Sequence, residues 1–160
     1  MSAVVVRDGQ RIEANLRIER RSADTGRLLG VIEVANLVVT DGRNLARDHL
    51  GNFGGTGLAQ FALGTGSTAP ASTDTQLETE LLRGPWTAIT APVDGQLDAT
   101  YYLSSTDGNG STIAEAGAFA NGATATPGSG TLYARATFVG IPKTASEAWT
   151  WTWSFYFTSS

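Results

Sequence analysis

Gly64-Thr65-Gly66, closing the apolar run Phe61-Ala62-Leu63, is the stretch whose composition comes nearest to a ligand loop. A phosphate-cradling P-loop needs G-x-x-x-x-G-K-[ST], with the lysine reaching the phosphates. Here Pro70 follows and the sole lysine of the chain, Lys143, is remote in sequence. A dinucleotide loop needs G-x-G-x-x-G opening a helix. Positions 64 and 66 fit, but position 69 is Ala and Pro70 has no N–H to donate. His49 is the only histidine, set between Asp48 and Leu50 in a helical segment, and no G-x-S-x-G elbow accompanies it. Carboxylates occur together as Asp74, Glu78 and Glu80 and as Asp94 and Asp98. A glycosidase needs two of them facing across a groove, and neither spacing imposes that. Asp107-Gly-Asn-Gly-Ser111 offers one carboxylate, short of the oxygen set calcium takes. With no cysteine, thiolate metal sites and disulfides are excluded. The expectation is no catalytic residue, no cofactor and no metal site, with Gly64–Gly66 serving as a structural joint.

The surrounding elements read as mostly β. Ile12, Ala14, Leu16 and Ile18 alternate with Arg11, Glu13, Asn15, Arg17 and Glu19, the pattern of a half-buried strand. A turn at Ser22–Gly26 leads to a more apolar strand, "LLGVIEVANLVV", so residues 1–40 form an Arg-rich hairpin. "TDGRNLARDHLG" predicts a helix of about two turns, capped by Thr40 or Asp41 and ended by Gly51. "TDTQLETELLR" reads as a further helical turn or two, since Leu77 and Leu81 stand at i and i+4. Strands follow at "QLDATYYLSS", "TIAEAGAFA" and "TLYARATFVG", the last with Leu132, Ala134, Ala136 and Phe138 on one face. The closing strand sets Trp149, Trp151, Trp153, Phe155 and Phe157 on one face against Thr, Ser and Tyr on the other. Two uses fit that load: the core strand of a sandwich, or a platform at an oligomer axis or for stacking sugars. The predicted fold is a mainly β single domain, a β-sandwich of about seven to eight strands with an N-terminal hairpin and one or two short helices. Residues 41–160 form its body.

Composition narrows the function classes. Charged residues make up 16% of the chain, and Gly, Thr, Ser and Ala abound, as suits a subunit that hides surface in an assembly. A net charge of −4 argues against binding nucleic acid through a basic field. No apolar stretch has the length of a membrane span or a signal sequence, so the expectation is a chain made in a cytoplasm and soluble, with no membrane partner. Six of the ten arginines, among them Arg17, Arg20 and Arg21, fall before residue 30. Planar guanidinium groups suit docking on an acidic partner, and the competing reading is solvated strand faces.

Three segments together carry a resemblance: "NLVVTDGRNLARDHLG", "FALGTGSTAPASTDTQLETELLR" and "IAEAGAFANG…GTLYARATFVGIPKTASEAWTWTWSFYF". Their order is similar to that of small tailed-bacteriophage virion proteins: N-x-V-x-x-x-G-x-N, then G-(T/D)-G-x-x-x-P-x-x-x-D-T-x-L-x-x-E-x-x-R, then E-x-G-(L/A)-F, then a last strand after a lysine. The resemblance spans Asn36 to Phe157 and leaves out the leading hairpin, which becomes an arm for attachment. It carries no catalytic residues. What it implies is structural. Gly64 and Gly66 would give a tight turn at positive φ, Pro70 its extended exit, Asp74 or Thr73 a cap, and Leu77 a plug. Glu80 and Arg83 would pair within or between subunits, and Glu115, Gly117 and Phe119 would set a buried or interfacial carboxylate beside close-packed backbone. Ala118 stands where the family often has Leu. The implied protein is part of a virion, either a capsid decoration protein or a tail fibre, collar or baseplate subunit. Its partners would be other virion proteins of capsid, neck or tail, and it would be a homo-oligomer, first of all a trimer. The rival is a host-glycan-binding module using Trp86, Trp149, Trp151 or Trp153.

Overall fold

A computed structural model describes residues 10–159; Arg7 and the other residues of 1–9 lie outside it, as does residue 160. The chain forms β1 (Gln10–Ser22), β2 (Leu28–Ala35), β3 (Leu37–Val38), α1 (Thr40–Leu50), β4 (Leu58–Gly64), β5 (Glu80–Pro85), β6 (Ala88–Thr90), β7 (Gln96–Leu103), β8 (Thr112–Ala120), β9 (Thr131–Pro142) and β10 (Glu147–Ser159). Two antiparallel sheets of five strands, in the orders β2-β1-β10-β7-β6 and β3-β9-β8-β4-β5, make a β-sandwich.

The alternating segments become strands because alternation gives each one apolar face to bury. Leu16, Ile18, Trp151, Trp153 and Phe155 come from the first sheet; Phe61, Leu63, Ile113, Ala116, Ala118, Ala134 and Ala136 come from the second. Large indoles on one layer thus meet a floor of alanines on the other, which lets the layers close at native density. Ala118, fully buried, belongs to that floor.

Several expectations are corrected. Three strands escape the alternation pattern: β3 and β6 are two and three residues long, and β5 occupies the end of the segment read as a second helix. That segment is turn and strand, leaving α1 as the one helix among the described residues. At eleven residues α1 is nearer three turns than two; Val39 is its N-cap, without a side-chain cap bond, and Asp41 sits in the first turn. Gly42 brings the helix against the backbone of Tyr133, where a Cβ would collide with the carbonyl. In β9 a bulge opposite Ala118 and Phe119 turns Leu132 to the outer face, away from Ala134 and Ala136. The hairpin β1–β2 is not set apart from the body. β1 pairs with β10 along its whole length and buries Leu16 and Ile18 in the common core.

Candidate functional site

The motif residues meet on the outer face of the β8 sheet. In β8 the inner row is Ala116, Ala118 and Ala120, so Glu115, Gly117 and Phe119 point the other way. They do not meet solvent, because the loop between β4 and β5 folds back over them. Leu77, 3% exposed, drops from that loop into a second small core with Val39, Ala62, Phe119, Ala123 and Leu132. Gly117 makes room for it: a Cβ there would stand 2.8 Å from the Leu77 methyl carbon and 2.9 Å from the Phe119 ring.

Glu115, with no exposed surface, fastens the loop. Its Oε1 accepts from the backbone N–H of Gly66 (3.1 Å) and of Thr79 (2.8 Å). Its Oε2 accepts from the Glu78 N–H (3.0 Å) and from Nε and Nη2 of Arg135 (3.1 and 2.9 Å). Arg135 Nη1 donates to Asp74 Oδ2 (2.8 Å), and the same oxygen accepts from the Ala71 N–H. Both ends of the loop are therefore held by one carboxylate, and its middle by one guanidinium. The Thr68 N–H donates to Glu78 and holds that carboxyl below the usual carboxylate range.

Gly64 and Gly66 work by space and not by conformation. Neither has positive φ. A Cβ at Gly64 would strike Glu115 Oε1 and the Thr79 carbonyl, and one at Gly66 would lie 2.6 Å from Glu115 Oε1. Pro70, half-buried, lies just before the turn at Ser72 and Thr73, and Asp74 ties back to Ala71 instead of capping a helix. Glu80 and Arg83 pair within one chain at 2.7 Å. Arg83 also donates to the Ser129 carbonyl and lies 3.9 Å over the Phe119 ring, joining a second loop to the same face.

The remaining candidates lie elsewhere. Arg17 and Arg21 project from the outer face of the first sheet, Arg20 lies at the end of its inner row over Trp149, and all three already have acids. Arg17 donates to Glu19 and Glu33, Arg21 to Glu19, and Arg20 grips Glu147 with two bonds of 2.9 and 2.7 Å. The bond from Arg20 holds the Glu147 carboxyl low against a smaller opposing effect of burial. Trp149, Trp151 and Trp153 have no exposed surface, so none of them serves as a stacking face. Trp86, half-buried, packs against Phe61 at 5.1 Å. His49 is exposed on α1.

Three residues of the described chain act where sequence reading gave no role: Arg135, Glu147 and Lys143. The signal for Arg135 was a lone charge in an apolar strand, whose register partner Gly117 lies two residues from the lone carboxylate of β8. Lys143, 1% exposed, donates to Asn109 Oδ1 (3.1 Å) and the Thr144 carbonyl (3.0 Å), and burial lowers its pKa.

Chemically the Glu115 cluster is closed. Its guanidinium hydrogen-bonds two carboxylates and has a third, Glu78, at 3.8 Å, and Glu115 spends both oxygens on donors. Among the described residues no group of three His, Cys, Asp or Glu is placed to hold a metal ion. The arrangement fixes a shape. No protein-family model, no curated protein and no solved structure matches this chain.

Proposed function

We propose that the chain is a structural protein of a tailed-bacteriophage particle, either a head decoration protein or a fibre, collar or baseplate subunit. One observation carries the reading. Motifs that are separated in sequence and that together resemble virion proteins converge on one carboxylate, Glu115, and lock a loop over the outer face of a sheet. A part selected to keep its outline inside an assembly needs such a lock, whereas an enzyme would hold its buried carboxylate free for substrate. Assembly as a homo-oligomer, a trimer first, is supported by the edge strand β2. Leu28, Leu29 and Val31 stand about two-fifths exposed there, on backbone open to a neighbour.

Immunogold labelling of purified particles from the source phage, with peptide quantification by mass spectrometry, tests this. Label spread over heads makes it a decoration protein, and label at neck or tail a fibre or baseplate part. Particles with neither label nor peptides end the virion reading.

A further inference from the structure

The buried Lys143, the only lysine of the chain, lies in the turn that carries β9 over to β10. It faces the turn between β7 and β8, so two connections between the sheets meet at this end of the sandwich. Two backbone bonds fix them to one another. The Lys143 N–H donates to the Ser111 carbonyl (2.9 Å), and the Gly110 N–H donates to the Lys143 carbonyl (3.0 Å). A Cβ built on Gly108 would touch Ile113, Leu82 and the stem of Lys143, so that stem runs in apolar company. At its tip the amine has two acceptors, both uncharged: Asn109 Oδ1 (3.1 Å) and the Thr144 carbonyl (3.0 Å). A buried amine whose hydrogen-bond partners are neutral is pushed toward its uncharged form, which is the nucleophile. The Asn109 amide is held in turn. Its Nδ2 donates to the Ser105 carbonyl (2.8 Å), which turns the oxygen and the carbonyl carbon toward the lysine. A nucleophile and an electrophile are thus positioned by backbone bonds and kept together in one closed end of the fold.

We propose that Lys143 and Asn109 close an intramolecular isopeptide bond. The uncharged amine attacks Cγ of Asn109. A bond forms between Nζ and Cγ, the bond from Cγ to Nδ2 breaks, and one amine proton passes to Nδ2, which leaves as ammonia. The step needs no oxidant and no reductant. The charges of Glu147 and Asp107 both reach the amine, and Glu147 is already spent on Arg20 and Trp149 Nε1. Asp107, exposed in the same turn as Asn109, is therefore the carboxylate that carries the proton. Asn109 precedes a glycine, and its carbonyl carbon is also open to attack by the Gly110 nitrogen, which would form a succinimide. That nitrogen is committed to the Lys143 carbonyl, so the geometry favours the lysine. The finished bond would tie the β7–β8 turn to the β9–β10 turn in a chain that has no cysteine for a disulfide.

Mass spectrometry of the folded full-length protein tests this directly. After allowance for the initiator methionine, the intact mass should fall below that of the sequence by one ammonia. Trypsin cuts after Arg83 and Arg135, so the digest should contain residues 84–135 joined to residues 136–160, with fragment ions placing the link at Asn109 and Lys143. Lys143→Arg and Asn109→Ser should each restore the full mass. A folded parent protein of full mass overturns the proposal. Loss of ammonia without the joined peptide overturns it too, as does a loss that persists in Lys143→Arg, since both are the marks of a succinimide at Asn109-Gly110. The parent's mass and peptide map decide the matter even where a variant fails to fold. Neither depends on whether the chain is a virion protein.

Discussion

Glu115 shows how much one side chain can organise when its lone pairs all find donors. Three backbone N–H groups and one guanidinium converge on it, and it has no exposed surface. Glu115→Gln keeps the shape but removes the charge facing Arg135 and turns an NH2 toward donors. Breaking a buried pair in this way should cost about 3–5 kcal/mol, read as a fall in the urea midpoint at unchanged slope. Gly64→Ala tests the same site from the backbone side. The added methyl has no room beside Glu115 and Thr79, so a loss of about 1–3 kcal/mol is expected from overpacking. The Arg20–Glu147 pair is partly exposed, and its signature is pH. Its carboxyl has a folded pKa below the ordinary value of 4.5, so the unfolded chain takes up the proton first. The stabilisation is therefore present above about pH 4.5 and fades as pH falls through the folded pKa. Arg20→Met should cost about 1–2 kcal/mol at neutral pH, and the gap from the parent protein should narrow in denaturation series carried down toward pH 3.

At the scale of elements, the loop from Thr65 to Thr79 behaves as a strap whose hold divides between Glu115 and Leu77. Leu77→Ala should cost about 2–3 kcal/mol. It should also speed hydrogen exchange at the Gly66 and Thr79 amides more than in the tryptophan strand, since only the strap loses its plug. This strap also marks the limit of what the sequence discloses. Strands β1 and β10 were legible because each alternates long enough to fix a period, β8 because it is a short apolar run between turn-rich loops, and the hairpin because its turn is glycine-marked. The strap's last residues imitate a helix. Leu77 and Leu81 stand four apart after Thr and Asp, yet Leu77 enters a core while Leu81, in β5, is 40% exposed. What separates them is a carboxylate far along the chain, and no local window contains Glu115. Gly64, Gly66 and Pro70 were readable as a joint for the same local reason. That the glycines make room for an oxygen atom, and not for a positive φ, follows only from β4 lying beside β8.

Across the whole molecule, the two outer faces differ in a way that bears on assembly. The β8 sheet hides its outer face under loops, while the β1 sheet shows a ladder of charges: Arg11, Arg17 and Arg21 interleaved with Glu13, Glu19 and Glu33. Its arginines are already matched, so this face would not attract an acidic surface by net charge. It would bind a partner able to exchange ion pairs with it, acid for acid. Exposed pairs of this kind contribute little to folding, whereas at an interface a reversed charge meets like charge and desolvation together. Arg17→Glu combined with Arg21→Glu therefore separates the two roles. The double variant should keep the parent's thermal midpoint within a few degrees and its blue tryptophan emission, because Trp149, Trp151 and Trp153 lie on the far side of the sheet without exposed surface. If the chain is the virion protein proposed above, the variant should fail to enter particles when supplied in place of the parent chain. Arg20 is left intact because it holds Glu147 and, 5.7 Å above the ring, Trp149, so reversing it would confound folding with docking. Normal incorporation of the folded double variant would remove this face from the assembly contact and leave the β2 edge as the surface to examine.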